Sequence, residues 1–477
     1  MARNYDLKDL EYWNERILEK VREFGLNCYP QEFELCDHTH MLGYMAYHGL
    51  PAHYPHWSYG KAYERLKTLY AHGATGLPYE MVINCDPCLA YLMRDNSLCL
   101  QILTMAHVYA HNDFFANNFT FRTTDARNIV AASKTRADRV RHYFEDPSIG
   151  QERVEAVLDA AHALSLHCRR NRAIRKLSSE EQQERAVAAA SGSDDPFRRI
   201  HKPREYVAPD LNKIPLEPEE DLLLFIRDHN PRLAEWEKDA LAIVDAEAGY
   251  LIPQIETKIM NEGWATLWHW EIMNSLGLPS ELHLEFLVRH NQVVRPVEGD
   301  INPYHLGLKA WQDIRRRTDE PTPEEIESFG KPSKCGRDKQ FEVREVDRDV
   351  SFLRRFLTQS LAEELGLFEY APQGGEFLVT KVAKGKEWEE VKVALLRSVG
   401  MGGVPVIRII DADYGRSGTL SLRHEHEGRD LDLEYAQHTL AHAHRLWGRP
   451  VVLETSIEGR TRHLRYEQEG FQVRDAA

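Results

Sequence analysis

The sequence predicts a mainly helical N-terminal body over about residues 1–335, followed by a smaller α+β domain over 336–477. Three observations predict it. Apolar residues recur at helical spacing through most of the first three hundred positions. After about residue 340, short strand-like runs alternate with helices, the pattern of a compact α+β unit. Between about 175 and 210 the chain is polar and charged, closed by Gly, Ser and Pro, which reads as a linker-like insertion within the body. At 477 residues the chain is also too long for one ordinary core.

In order along the chain, residues 7–26 repeat apolar positions at helical spacing and predict an amphipathic helix. Residues 27–60, rich in Pro, Gly, His and Tyr, predict an ordered loop with short pieces. A helix is expected over 61–73 and a short buried strand over 79–84. From Leu89 to Phe115 the chain is apolar on nearly every side, without Gly or Pro, which predicts a core helix. A helical pair is expected over 125–172, then further helices over 219–248, 254–275, 281–290 and the segment starting at Ile301. Residues 350–366 predict one more helix. Strand-like segments mixed with a helix follow over 376–424, then a helix over 430–447 and a closing strand over 450–455.

Composition narrows the function classes. The chain has 60 Lys plus Arg against 75 Asp plus Glu, a net charge of −15, which argues against general attraction to nucleic acid or to an anionic membrane. No apolar run approaches the roughly 18–20 residues that cross a bilayer, and no apolar signal core opens the sequence, so a cytoplasmic protein is expected. Seven Cys in so long a chain make no disulfide framework. Cys85-Asp-Pro-Cys88 has the spacing of a redox or zinc pair but lacks a second such pair, and reads as structural. The glycines of Val399–Gly403 lack the strand-to-helix context of a nucleotide cradle. Arg169, Arg170, Arg172 and Arg175 read as a solvated helix face. Histidine, at 23 residues, is abundant, and its placement decides its meaning.

The apolar helix contains His107-Val-Tyr-Ala-His111. Histidines at i and i+4 share a helix face about 6 Å apart, so both imidazoles reach one metal ion. A second, Trp-rich helix carries Glu262 and His269 on one face, and an inward Glu there needs a cation or strong donors. Together they resemble the ligand set of gluzincin-type zinc hydrolases, a gluzincin-like helix pair, with Asn261-Glu262 in the place of the second motif. Zinc or another divalent transition metal is the implied cofactor. The third ligand is Glu262 or His269, and His162 is a candidate fourth. The alternative is a satisfied polar core network. Val108 stands where that motif has its general base Glu, so a base must come from elsewhere, and Glu80, Asp113 and Glu271 are the candidates. His56, Trp57, Asn84, Asp86 and Asn112 are candidate pocket residues. His38, His40 and His53 are weaker ones. Asn112 and Asp113 either orient the imidazoles or cap their helix.

Long segments then resemble one family in the same order. YPHWSYGKAYERLKTLY, GLPYEMVINCDPCLAYLMRDNSL, AHVYAHNDFFANNFTFR, QIETKIMNEGWATLWH and INPYHLGLKAWQDI look like the stage V sporulation protein R (SpoVR) family, over nearly the whole chain. The resemblance implies a bacterial protein linked by name to the spore cortex, without a settled activity. It also implies protein partners, since kinase-like and von Willebrand-type proteins are often encoded beside its members. Its motif positions here are His56, Trp57, Glu80, Asn84, Asp86, His107, His111, Asn112, Asp113, Asn118, Glu262, His269 and Asn302. Two functions follow as expectations: a zinc-dependent hydrolase acting on peptide or amide bonds, or a catalytically silent regulator that binds protein partners.

Overall fold

The computed structural model describes residues 5–72, 80–170, 172, 174–190, 208–297, 300–373, 376–382, 385 and 387–475. It is mainly helical, with most strands after residue 367. The chain forms two compact units, one of residues 1–139 and 253–403, the other of 140–252 and 404–477. These bounds differ from the division near residue 335. The helices Gly336–Val346 and Asp349–Phe356 bury Gln340, Val343, Phe352 and Leu353 in the first unit, so the helical body continues well past the point where strand-like texture begins.

The first unit opens with helix Leu7–Glu23, capped by Asp6 and Asp9 in a capping box. Its Leu10, Trp13, Ile17 and Val21 lie at helical spacing and enter the core. Strand β1 (Gln31–Cys36) and a helix over His38–Ala46 then occupy the segment expected to be loop, and Asp37 caps that helix through Thr39 and His40 N–H. Strands β2 (Glu80–Ile83) and β3 (Cys88–Met93) complete a three-stranded sheet of order β1-β3-β2. The central β3 runs parallel to β1 and antiparallel to β2, with Glu80 opposite Leu92.

The core helix expected from Leu89 therefore starts later. Residues 88–93 are a strand buried at nearly every position, which a run of apolar residues does not distinguish from buried helix. Arg94-Asp95-Asn96 turns the chain, and Ser97 caps the histidine helix Leu98–Asn117 by accepting from Leu100 N–H. That helix is buried from Cys99 to Phe115. Against it pack the helices Lys258–Ser275 and Ser280–Val293, called here the glutamate and flanking helices, and Gly336–Val346. The glutamate helix begins where Glu235–Glu256 ends, just after Pro253, and Asp349 accepts from the N–H groups of Ile259 and Met260 at 2.9 Å.

The glutamate helix also crosses Pro303–Asp319, the tyrosine helix, at Gly263 and Gly307. A Cβ on either glycine would run into the backbone of the other helix, so only glycine permits this approach. A hairpin of β4 (Phe368–Gln373) and β5 (Glu376–Val382) and helix Trp388–Ser398 end this unit.

The second unit holds a five-stranded sheet of order β10-β9-β8-β7-β6, formed by β6 (Ile407–Tyr414), β7 (Thr419–His424), β8 (Val451–Ile457), β9 (Arg460–Glu467) and β10 (Gly470–Asp475). β7 and β8 are parallel, joined through helix Leu433–Trp447, which packs on helix Gln151–Leu164. The linker-like segment contains a helix, Ser179–Ala190, while 191–207 lie outside the described residues. Among the described residues no helix is long and apolar enough to cross a membrane.

Candidate metal centre

The two histidines of the core helix and Glu262 of the glutamate helix converge inside the first unit. His111 Nε2 lies 3.0 Å from His107 Nε2. Glu262 Oε2 lies 3.4 Å from the first and 3.8 Å from the second. Four donors held tetrahedrally at about 2.0–2.1 Å from one ion stand roughly 3.3 Å apart, and these three separations bracket that value. Among the described residues, His107, His111 and Glu262 form the one cluster of His, Cys, Asp and Glu with such a spacing. Glu262 Oε2 is itself buried and makes no hydrogen bond.

The outward nitrogens are held from behind. His111 Nδ1 meets Asn261 Oδ1 at 2.8 Å, so that nitrogen carries a proton, and in the neutral ring Nε2 presents a lone pair. His107 Nδ1 meets His269 Nδ1 at 2.9 Å. Of the two candidate third ligands, Glu262 faces the Nε2 atoms, whereas His269 supports the opposite edge of His107. His269 Nε2 continues to His290 Nδ1 at 2.8 Å, on the flanking helix.

The electrostatics follow from burial and from this crowding. Burial, with His111 adding to it, pulls His107 down to about 4. Burial likewise pulls His111 down, but Glu262, Asn261 and Glu80 together outweigh it and raise the ring above its ordinary value. Glu262 ends far below the usual carboxylate range, because both imidazoles overcome the upward push of burial. Burial holds His269 well down, with His107 and His290 adding to it.

Two further groups face the same place. Glu80, half-buried at the start of β2, is pushed up to about 7 by burial, with Glu262 adding and His111 opposing. The Tyr304 hydroxyl is raised by the Glu262 carboxylate first, then by burial and Glu80, and its ring lies over His107 with centroids 6.1 Å apart. Asn302 fixes Tyr304 by capping the tyrosine helix through Tyr304 N–H at 2.9 Å, ahead of Pro303. Tyr304 and His290 were not singled out in the sequence. The signal for Tyr304 was its place just after Asn302-Pro303 in a family motif.

The remaining candidates are placed elsewhere or occupied. Asp113 is fully buried, paired through both oxygens with Arg344 Nη1 at 2.6 Å, and accepts from Asn27 N–H and Trp264 Nε1. Glu271 pairs with Arg315 at 2.8 Å, and His162 lies in the second unit. Asn112 binds Tyr29 N–H and carbonyl and Gln31, tethering the approach to β1. Asn118 donates to the carbonyls of Arg344 and Asp347. His56 caps helix Trp57–Ala71 through Ser58, with Trp57 exposed. Asn84 donates to Thr124, and Asp86 pairs with Arg127. Cys85 and Cys88 are free and buried, and burial raises both thiols.

Comparison with known proteins then places the chain. Residues 4–404 match the family described as SpoVR like protein, and residues 405–458 match the SpoVR-like C-terminal domain. An uncharacterized protein, YcgB, of Escherichia coli (strain K12) is 34% identical over 484 residues, covering 95% of this chain and 92% of that protein. No solved structure matches. The chain belongs to the SpoVR family.

Proposed function

We propose that the first unit holds one divalent transition metal, zinc foremost, through His107 Nε2, His111 Nε2 and Glu262, and that the site serves metal-assisted hydrolysis. One observation carries the reading: two imidazole nitrogens and a buried carboxylate oxygen without a hydrogen bond converge within 3.0–3.8 Å. Lone pairs brought so close out of water repel one another unless a metal ion or a shared proton stands among them, and a metal ion satisfies all three at once.

Three protein ligands leave a fourth position open, the arrangement of catalytic rather than structural zinc. A bound ion there supplies Lewis acidity and lowers the pKa of water. Asn261 orients His111, and His269 orients His107. Glu80 holds or takes a proton beside the ligands, with a carboxyl poised near neutral pH, in place of the base absent at Val108. Tyr304 keeps its proton and offers a donor to negative charge developing at the site. The pairing of two helices is gluzincin-like in ligand types, with the acid–base group moved to a strand. The family name points to cell-wall material, so peptide and amide bonds of that class form the first substrate screen.

A second reading rests on Val108: a metal-stabilised regulator that binds protein partners without catalysis. The deciding experiment measures metal content of untagged protein by plasma mass spectrometry in wild type, His107→Ala and Glu262→Ala. Near-stoichiometric metal in wild type and its loss in both variants is expected. A folded, metal-free wild type purified without chelator, and unable to take up added zinc, would refute the site. If metal is present, Glu80→Gln separates the two functions, since it abolishes turnover in an enzyme and leaves partner binding intact in a regulator.

A further inference from the structure

We infer that His290 is a positioning residue for this centre, acting through His269 to fix which nitrogen of His107 faces the ion. This inference rests on the ligand assignment above. The three rings form an unbroken line: His107 Nδ1 to His269 Nδ1 at 2.9 Å, then His269 Nε2 to His290 Nδ1 at 2.8 Å.

Each neutral imidazole has one N–H and one bare nitrogen, so each junction must pair a donor with an acceptor. With His107 Nε2 turned to the ion, its proton sits on Nδ1 and is donated to His269 Nδ1. His269 must then carry its own proton on Nε2 and donate it to His290 Nδ1. His290 Nδ1 is therefore an acceptor, and its proton is on Nε2. The opposite direction along the line puts a proton on His107 Nε2 and blocks the ligand atom. An acceptor at the His290 Nδ1 position selects the binding-competent direction, and its removal leaves the His269 N–H without a partner in a fully buried place.

The Ala265 carbonyl beside His107 also favours a proton on that ring, so His290 acts together with it from the far end of the line. His269 is wholly buried, and the rings around His290 are Trp270 at 4.5 Å and Phe286 at 5.9 Å between centroids. His290 packs as an aromatic and accepts as a base, and two substitutions separate these roles. His290→Phe keeps the ring and removes the acceptor. His290→Asn gives up the ring and keeps an acceptor, Oδ1, near the Nδ1 position.

The experiment measures affinity for zinc, by competition with a chromophoric chelator, and the visible spectrum of the cobalt(II)-loaded full chain. It also records thermal stability of each metal-free protein. His290→Phe is expected to bind about 10- to 100-fold more weakly, the usual cost of losing a supporting partner behind a ligating histidine, with an altered cobalt spectrum. His290→Asn is expected to restore affinity and spectrum to near wild type even where its metal-free stability is the lower of the two. Equal affinity of wild type and His290→Phe overturns the inference while leaving the metal site standing. Loss in His290→Asn as large as in His290→Phe also overturns it, since ring packing then explains both. A wild type with no measurable affinity removes the ligand assignment and this inference together.

Discussion

Removal of Arg344 tests whether Asp113 is a catalytic carboxylate or part of the scaffold. The guanidinium is 4% exposed and the carboxylate not at all, and Arg344 Nη1 sits 2.6 Å from both Asp113 oxygens. Arg344→Met keeps most of the volume but leaves Asp113 with neutral donors, Asn27 N–H at 2.7 Å and Trp264 Nε1 at 2.9 Å. Breaking a buried pair from one side costs about 3–5 kcal/mol. The guanidinium also lies over Phe341, 4.9 Å from its centroid, which adds up to about 1–2 kcal/mol. Burial already raises Asp113 against the pull of Arg344. Without Arg344 the folded carboxyl keeps its proton to still higher pH than the unfolded one, so the loss grows as pH rises and is smaller at pH 5 than at pH 8. Urea unfolding followed by tryptophan fluorescence reads the first unit, which contains seven of the nine Trp. In a double-mutant cycle, Asp113→Asn with Arg344→Met should recover at least about 2 kcal/mol relative to the sum of the singles. Additivity within about 0.5 kcal/mol, or Asp113→Asn with wild-type stability and no function, would refute the scaffold role.

Other outcomes follow from the same geometry. In metal-free protein, Glu80→Gln removes a carboxyl that keeps its proton to about pH 7 when folded against an ordinary 4.5. A raised acid pKa costs stability progressively as pH climbs between those values, so the variant should match wild type below pH 4.5 and gain on it up to pH 7 and above; pH-dependent melting temperatures check this. Gly307→Ala should destabilise the protein by at least about 1–3 kcal/mol in denaturant unfolding, and lower zinc affinity too, because it pries apart the helices that carry Glu262 and Tyr304. Asp349→Ala should cost about 1–2 kcal/mol by uncapping the glutamate helix at Ile259 and Met260, measured the same way.

The parts of the centre that were legible in the sequence are those set by local geometry. The spacing of His107 and His111 is enough to put both on one face, whereas the sequence leaves Glu262 and His269 open as the third partner and only the fold separates them. The pattern over strand β3 predicts helix because a strand buried on both faces has no alternation to show. The break at Arg94-Asp95-Asn96 before the cap Ser97 was the signal that separates them. The role of Asp113 was hidden because its partner Arg344 lies 231 positions later. The cap Asp349 and the acceptor His290 were equally out of reach, since each is defined by what the fold brings to it. A family motif marks such residues without saying which are chemistry and which are scaffold. Here Asn112, Asn118 and Asn302 spend their side chains largely on backbone groups.

Val108 gains its meaning from the same comparison. It is completely buried, on a helix surrounded by core from Cys99 to Phe115, and a carboxylate there would have to share the apolar interior. A carboxyl close enough to feel the charges of His111 and Glu262 comes from β2, whose antiparallel register sets Glu80 beside Leu92, two residues before the turn into the histidine helix. Sheet and helix are thus consecutive parts of one chain segment, and the geometry between Glu80 and His111 is fixed by that turn and by its cap, Ser97. Val108 in the place of an acid is therefore compatible with the proposed hydrolytic site. In the proposed site that acid is Glu80, at a half-buried strand end where burial, with Glu262 adding, pushes its carboxyl up to about 7.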